Sequence, residues 1–167
     1  MYRWLREGEE MSAIGINHVN VSVADIDAAV EFYEAVLGLE RIPSINSTAP
    51  GAWFRVGDAQ LHLTERGGPG PEIHHFAVTV DDFPTVYERA VERDALDDTF
   101  GASLYEFTDG AVQMYLRDPS GNLVECDWPD VTTLPADIRE RVTTREERYG
   151  VEQTGEAAAA TLFPDWE

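Results

Sequence analysis

The stretch "INHVNVSVADIDAAVE" (16–31) returns, altered, as "IHHFAVTVDDFPTVYE" (73–88). A shift of 57 residues superposes Ile16 on Ile73, His18 on His75, Val21 on Val78, Val23 on Val80, Asp25 on Asp82 and Glu31 on Glu88, six identities in sixteen ungapped positions. A repeat of this kind sets the architecture before any local reading does. Each copy opens with period-two alternation. Val19, Val21 and Val23 oppose His18, Asn20 and Ser22, just as Phe76, Val78 and Val80 oppose His75, Ala77 and Thr79. Neighbouring strand residues point to opposite faces, so His74 and His75 cannot share a role. The repeat selects His75, which has the parity of His18, and leaves His74 to packing or a surface hydrogen bond.

A helix follows each strand. Asp25 is the expected N-cap of the first, with Ile26, Ala29, Val30, Tyr33, Val36 and Leu37 as one apolar stripe and Gly38 at its stop. Asp82 caps the second, Pro84 is tolerated in its first turn, and Phe83, Val86, Tyr87, Ala90 and Val91 form its stripe. Short extended segments come next, over about 39–45, 52–56 and 59–64 in the first copy and 102–107, 111–117 and 122–127 in the second. The unit is β-α-β-β-β, used twice. This is an α+β fold of two βαβββ modules whose polar strand faces line the concave side of a curved, half-barrel sheet. The expected divisions are an amino-terminal extension (1–13), a first module (14–66), a second module (72–128) and a carboxyl-terminal helical tail (129–167), with "LPADIRERVTTREERYG" (134–150) read as an amphipathic helix.

The last strand of each copy supplies another inward residue. In "GDAQLHLTE" (57–65) His62 lies between two leucines and faces away from them, and in "DPSGNLVECDW" (118–128) Glu125 alternates with Val124 and Cys126. Asp118–Asn122 reads as the hairpin turn that precedes it. A glutamate buried in an apolar-walled cavity needs a cation or a hydrogen-bond donor. Three imidazoles and a carboxylate at corresponding positions (His18, His62, His75 and Glu125) suit one divalent ion per site, drawn from Fe, Mn, Co, Ni and Zn, with positions left for a small-molecule substrate.

Composition removes other classes. Acidic residues number 32 against 12 basic ones, a formal charge of −20, and every basic residue is arginine. Such a field opposes a phosphate backbone, so no nucleic-acid partner is expected. No apolar run is long enough to span a bilayer, and the charged start "MYRWLREGEEMSA" lacks a signal-peptide core, so a cytoplasmic location without a membrane partner is expected. A single cysteine excludes an internal disulfide and a cysteine-based zinc knuckle.

Together, "NHVNVSVADIDAAVEFYEAVLGLE" (17–40), "HHFAVTVDD" (74–82) and "YLRDPSGNLVE" (115–125) resemble the vicinal-oxygen-chelate superfamily. That superfamily groups glyoxalase I, extradiol dioxygenases, fosfomycin-resistance transferases and methylmalonyl-CoA epimerase. The resemblance implies paired modules around a metal, often completed by two chains, hence a homodimer. It also implies that His18, His75 and Glu125 are ligands and that His62 is a fourth ligand or a catalytic residue. The shared chemistry is chelation of vicinal substrate oxygens, with an anion stabilised there. Glyoxalase-type lyases and isomerases carry glutamate at the His62 position. Ring-cleaving extradiol dioxygenases use two histidines and a carboxylate, and they place a tyrosine ten residues before the glutamate, where Tyr115 stands as a catalytic candidate. The upstream histidine of their signature is absent from "YEFTDGAV" (105–112), and no lysine exists to hold a fosfomycin phosphonate. The alternative is a metal-free drug-binding protein of the bleomycin-resistance type, whose members have usually lost the ligands kept here.

The acidic, lysine-free composition also resembles cytoplasmic proteins of extreme halophiles. Thermal unfolding followed from low to molar KCl should show the midpoint rising with salt; an unchanged midpoint would count against that origin.

Overall fold

Strand β1 (His18–Val23) turns its valines inward, and Asp25 then starts helix α1 (Ile26–Ala35) by accepting a hydrogen bond from the Ala28 amide at 3.0 Å. Gly38, at φ +66°, takes the left-handed conformation that lets the chain leave the helix without a Cβ clash. Strands β2 (Glu40–Ile42), β3 (Gly51–Val56) and β4 (Ala59–Glu65) follow. The last of these returns beside the first in parallel, giving the order β1-β4-β3-β2. A parallel join of this kind requires a crossover, and α1 is the crossover.

The second copy repeats the plan. Strand β5 (His75–Thr79) leads to helix α2 (Phe83–Glu92), capped by Asp82 on the Thr85 amide at 3.1 Å, and then to β6 (Leu104–Glu106), β7 (Val112–Arg117) and β8 (Leu123–Trp128). Its order is β5-β8-β7-β6, with β5 and β8 parallel. The computed structural model describes residues 15–45, 49–144, 146, 147, 150, 152 and 154–163, the side chain of Glu156 excepted. The expected extension at 1–13 lies outside them. No helix among the described residues is long and apolar enough to cross a membrane.

Over its described part the tail differs from its reading as one helix across 134–150, of which residues 145, 148 and 149 lie outside the described residues. Helix α3 covers only Ala136–Arg139, and Thr143–Thr144 then form strand β9, parallel to β6. The β-branched run Val142–Thr144 fits a strand better than a helix, and the outer edge of β6 offers it backbone partners. The α+β reading holds, with one mixed sheet per module and, among the described residues, no strand pairing between the two sheets.

One core serves both modules. Val23, Phe32, Tyr33, Phe54 and Leu61 of the first join Val78, Phe83, Val86, Met114, Leu116 and Cys126 of the second in a single buried cluster. Buried beside it, Asp118 ties the modules together with its carboxylate. Its Oδ1 accepts the Ser120 and Asn122 amides at 2.9 and 2.8 Å, while Oδ2 accepts the Tyr33 hydroxyl at 3.1 Å and Asn122 Nδ2 at 2.8 Å. Asn122 Nδ2 also donates to the Ser22 carbonyl at 2.9 Å, and the Ala24 amide donates to Ser120 Oγ at 2.9 Å. The expected hairpin turn is thus also the seam that joins β1 and α1 to β8. Burial, reinforced by Asp118, raises the Tyr33 hydroxyl well above its ordinary value, so it stays a donor.

Asp118→Ala should lower the stability measured in urea by about 3 kcal/mol, because several buried donors lose their acceptor at once. Tyr33→Phe, which removes one donor and leaves Asp118 Oδ2 still paired with Asn122 Nδ2, should cost about 1 kcal/mol.

Candidate functional site

The polar strand faces carry the expected residues, in two pairs. On the first sheet the ladder sets Asn20 opposite His62 and His62 opposite Trp53, and His18 begins the adjacent strand. The His62 ring is stacked between His18 and Trp53, with centroids 4.4 and 3.9 Å away and planes within 15° and 5°. Its Nε2 meets Gln60 Oε1 at 2.8 Å, and His18 Nδ1 meets Asn17 Oδ1 at 2.9 Å. Burial, and then the neighbouring His18, lower the His62 imidazole from its ordinary value of 6.5.

On the second sheet the ladder sets Ala77 opposite Glu125 and Glu125 opposite Tyr115. The register is the same as in the first module: the residue two beyond each leading histidine faces the ligand candidate of the last strand. His75 Nε2 lies 3.2 Å from Glu125 Oε2, and Gln113 Nε2 donates to Glu125 Oε1 at 2.6 Å. Glu125 is only 3 % exposed, so the expected need for a donor is met by an amide that the sequence reading did not name. Tyr115 is buried on the same face, its ring edge-on to His75 with centroids 6.1 Å apart. His74 is exposed, with its amide on the Pro71 carbonyl at 2.9 Å.

His75 Nδ1 lies 2.9 Å from the Ile73 carbonyl and must donate to it. In a neutral ring Nε2 then directs a lone pair at the Glu125 carboxylate. Two acceptors at that distance repel unless the ring gains a second proton or a cation lies between them. Ligands bound to one transition-metal ion at roughly 2.1 Å each are themselves roughly 3 Å apart. The donor set therefore fits a divalent ion. Among the described residues of one chain, however, no three ligand-type side chains gather into a cluster that could hold one. The structure pairs His18 with His62 and His75 with Glu125 without merging the pairs.

Three further residues belong to these faces. Trp53 and Gln60 fix His62, as described above. Asp127 lies two residues beyond Glu125 on the same face and is nearly buried, with no hydrogen-bond partner for its Oδ1. Burial, and then the charge of Glu125, push its carboxyl above the usual range. The alternation that selects Glu125 would have selected Asp127 as well.

A match to the glyoxalase/bleomycin resistance protein/dioxygenase family model runs over residues 15–126, from before β1 into β8. The chain belongs to this superfamily. Its similarity to YwbC of Bacillus subtilis is 28% identity over 123 residues, covering 66% of this chain and 94% of that protein. Its similarity to the metallothiol transferase FosB of Lysinibacillus sphaericus is 32% over 89 residues, covering 49% of this chain and 61% of FosB. Among solved structures, the oxidase ChaP-H2 superposes with a TM-score of 0.57 at 27% identity, over 70% of this chain and 94% of that one. All of the candidate ligands of this superfamily member fall inside the matched span.

Gln113→Leu should destabilise the protein by about 2 kcal/mol in thermal or urea unfolding, because Glu125 loses a donor while staying buried. Gln113→Glu should cost more, since it sets a second carboxylate against the first.

Proposed function

We propose that this chain is a divalent-metal-dependent vicinal-oxygen-chelate enzyme acting on a small molecule, with His18, His62, His75 and Glu125 as the ligand set and a homodimer as the working unit. In that unit the His18–His62 pair of one subunit meets the His75–Glu125 pair of the other. The observation that carries the reading is the matched register of the two pairs, which supports taking them as two halves of one site. Iron, manganese, cobalt, nickel and zinc all suit three imidazoles and a carboxylate. When bound, the ion would polarise two neighbouring substrate oxygens and stabilise the negative charge that develops there.

The chain's own residues supply the rest. The stack of Trp53, His62 and His18 fixes the imidazoles of the first half, and Gln113 holds Glu125 toward His75 in the second. Tyr115, across the ladder from Glu125 and in the lining of the cavity beside it, would donate its hydroxyl proton to a substrate oxygen. Phe100, Tyr105 and Ile73 add apolar surface to the same cavity, and among the described residues no arginine lines it. A lining of aromatic rings and a carboxylate favours ring cleavage by a dioxygenase over chemistry on glutathione or a phosphonate, whose anions would require a basic partner. The lysine-free acidic surface supports work in the cytoplasm of a high-salt organism.

Protein purified without added metal should contain one divalent ion per ligand set and elute as a dimer in light scattering, while His75→Ala should lose the metal. Equal metal in both proteins would sink the metal centre and leave a drug-binding protein of the bleomycin-resistance type. After anaerobic loading with Fe(II), catechol-dependent oxygen uptake is expected, and Tyr115→Phe should slow it about 100-fold with metal content unchanged. Hemithioacetal isomerisation under nickel or zinc, without oxygen uptake, would select the glyoxalase-type reaction instead.

A further inference from the structure

The cavity over the His75–Glu125 pair has a volume of about 440 Å³ and one wall that neither module provides. That wall is Leu162, which lines the space with Phe100, Tyr105 and Tyr115. The chain reaches it through a 3-10 turn at Gly155–Ala159, and the next three residues are bound to the β6–β7 turn. Thr108 Oγ1 donates to the Ala160 carbonyl at 2.6 Å, Thr161 Oγ1 donates to Asp109 Oδ2 at 2.5 Å, and the Leu162 amide donates to the same oxygen at 2.9 Å. The Phe163 amide closes onto Thr161 Oγ1 at 3.0 Å. Asp109 also accepts the Ala111 amide at 3.0 Å, so the turn that receives the strap is itself held in shape.

Leu162 is half-buried, and its contribution to a core is small. Its place in the same lining as the rings of Phe100 and Tyr115, which lie 4.8 Å apart by centroid, makes it a limit on what can lie against them. Those rings, a lining without arginine among the described residues and the Glu125 carboxylate favour a planar, uncharged group.

We propose that the carboxyl-terminal strap forms part of the substrate site and that Leu162 is a specificity-determining residue, setting the size of the planar group that the second half-site accepts. The proposal rests on the reading that this face binds the substrate, and it is independent of which metal, if any, is held.

The test uses the full chain without added metal and two uncharged probes, phenol and 2-naphthol, with binding read by calorimetry for both and by naphthol fluorescence. Wild type should bind phenol more tightly than Leu162→Trp by at least tenfold. Leu162→Ala should shift the preference toward 2-naphthol by about fivefold or more. Asp109→Asn, which weakens the anchor while leaving Leu162 in place, should shift it the same way. Unfolding midpoints within a few degrees of wild type would show that the variants fold. Identical probe preference in all four proteins, or no binding to wild type, would overturn the proposal. Metal content, measured on the same samples, reports separately on the ligand set: absence of metal together with the expected shifts in probe preference would refute the metal centre alone.

Discussion

The Asp118 carboxylate is the constraint on which the arrangement of the two modules depends. A buried carboxylate is tolerated only when its lone pairs are satisfied, and here they take two backbone amides, a phenol and an amide side chain. Three of those donors lie within its own turn, but Tyr33 belongs to the other module. Satisfying the acid therefore requires α1 to dock against the start of β8. Docking in turn places Tyr33 between Phe54 and Phe76, merging two helix-covered sheets into one core. Neither module could be removed without leaving Asp118 or Tyr33 unsatisfied inside the other.

Much of this was legible in the chain because a repeat read twice corrects its own noise. Both N-caps, both helices and the parity of every strand residue near His18 and His75 follow from period and capping chemistry. The role of Asp118 was hidden: a turn sequence announces a turn, whereas a partner 85 residues away appears only when the fold closes. The tail was misjudged for a related reason. Its arginine and glutamate spacing suits a helix, but an open strand edge at β6 competes for Thr143–Thr144, and that edge is tertiary information.

The candidate ligands were legible by face, and their grouping was not. Alternation says which residues share a sheet surface, and it predicted that His75 and Glu125 would lie together, as they do across the parallel β5–β8 ladder. It says nothing about how the two surfaces stand to one another. Gln113 escaped notice because an amide in an apolar strand gives no signal until its cross-strand neighbour is known. Asp127 could have been found by the rule that found Glu125.

Strand β8 places Glu125 and Asp127 on one side and Val124 and Cys126 on the other. The lone thiol is fully buried, and burial drives its ionisation far above its ordinary value, so a soft metal-binding group sits one residue from the candidate ligand yet is held out of reach. Slipping the strand by a single residue would exchange the two sides. It would carry two carboxyl groups into hydrocarbon, parting Glu125 from Gln113 and His75, and offer a thiol to the cavity. The acids that equip this face thus also police the pairing of the strand that carries them. Errors in folding register are rejected by charge before any ligand is present to select among them.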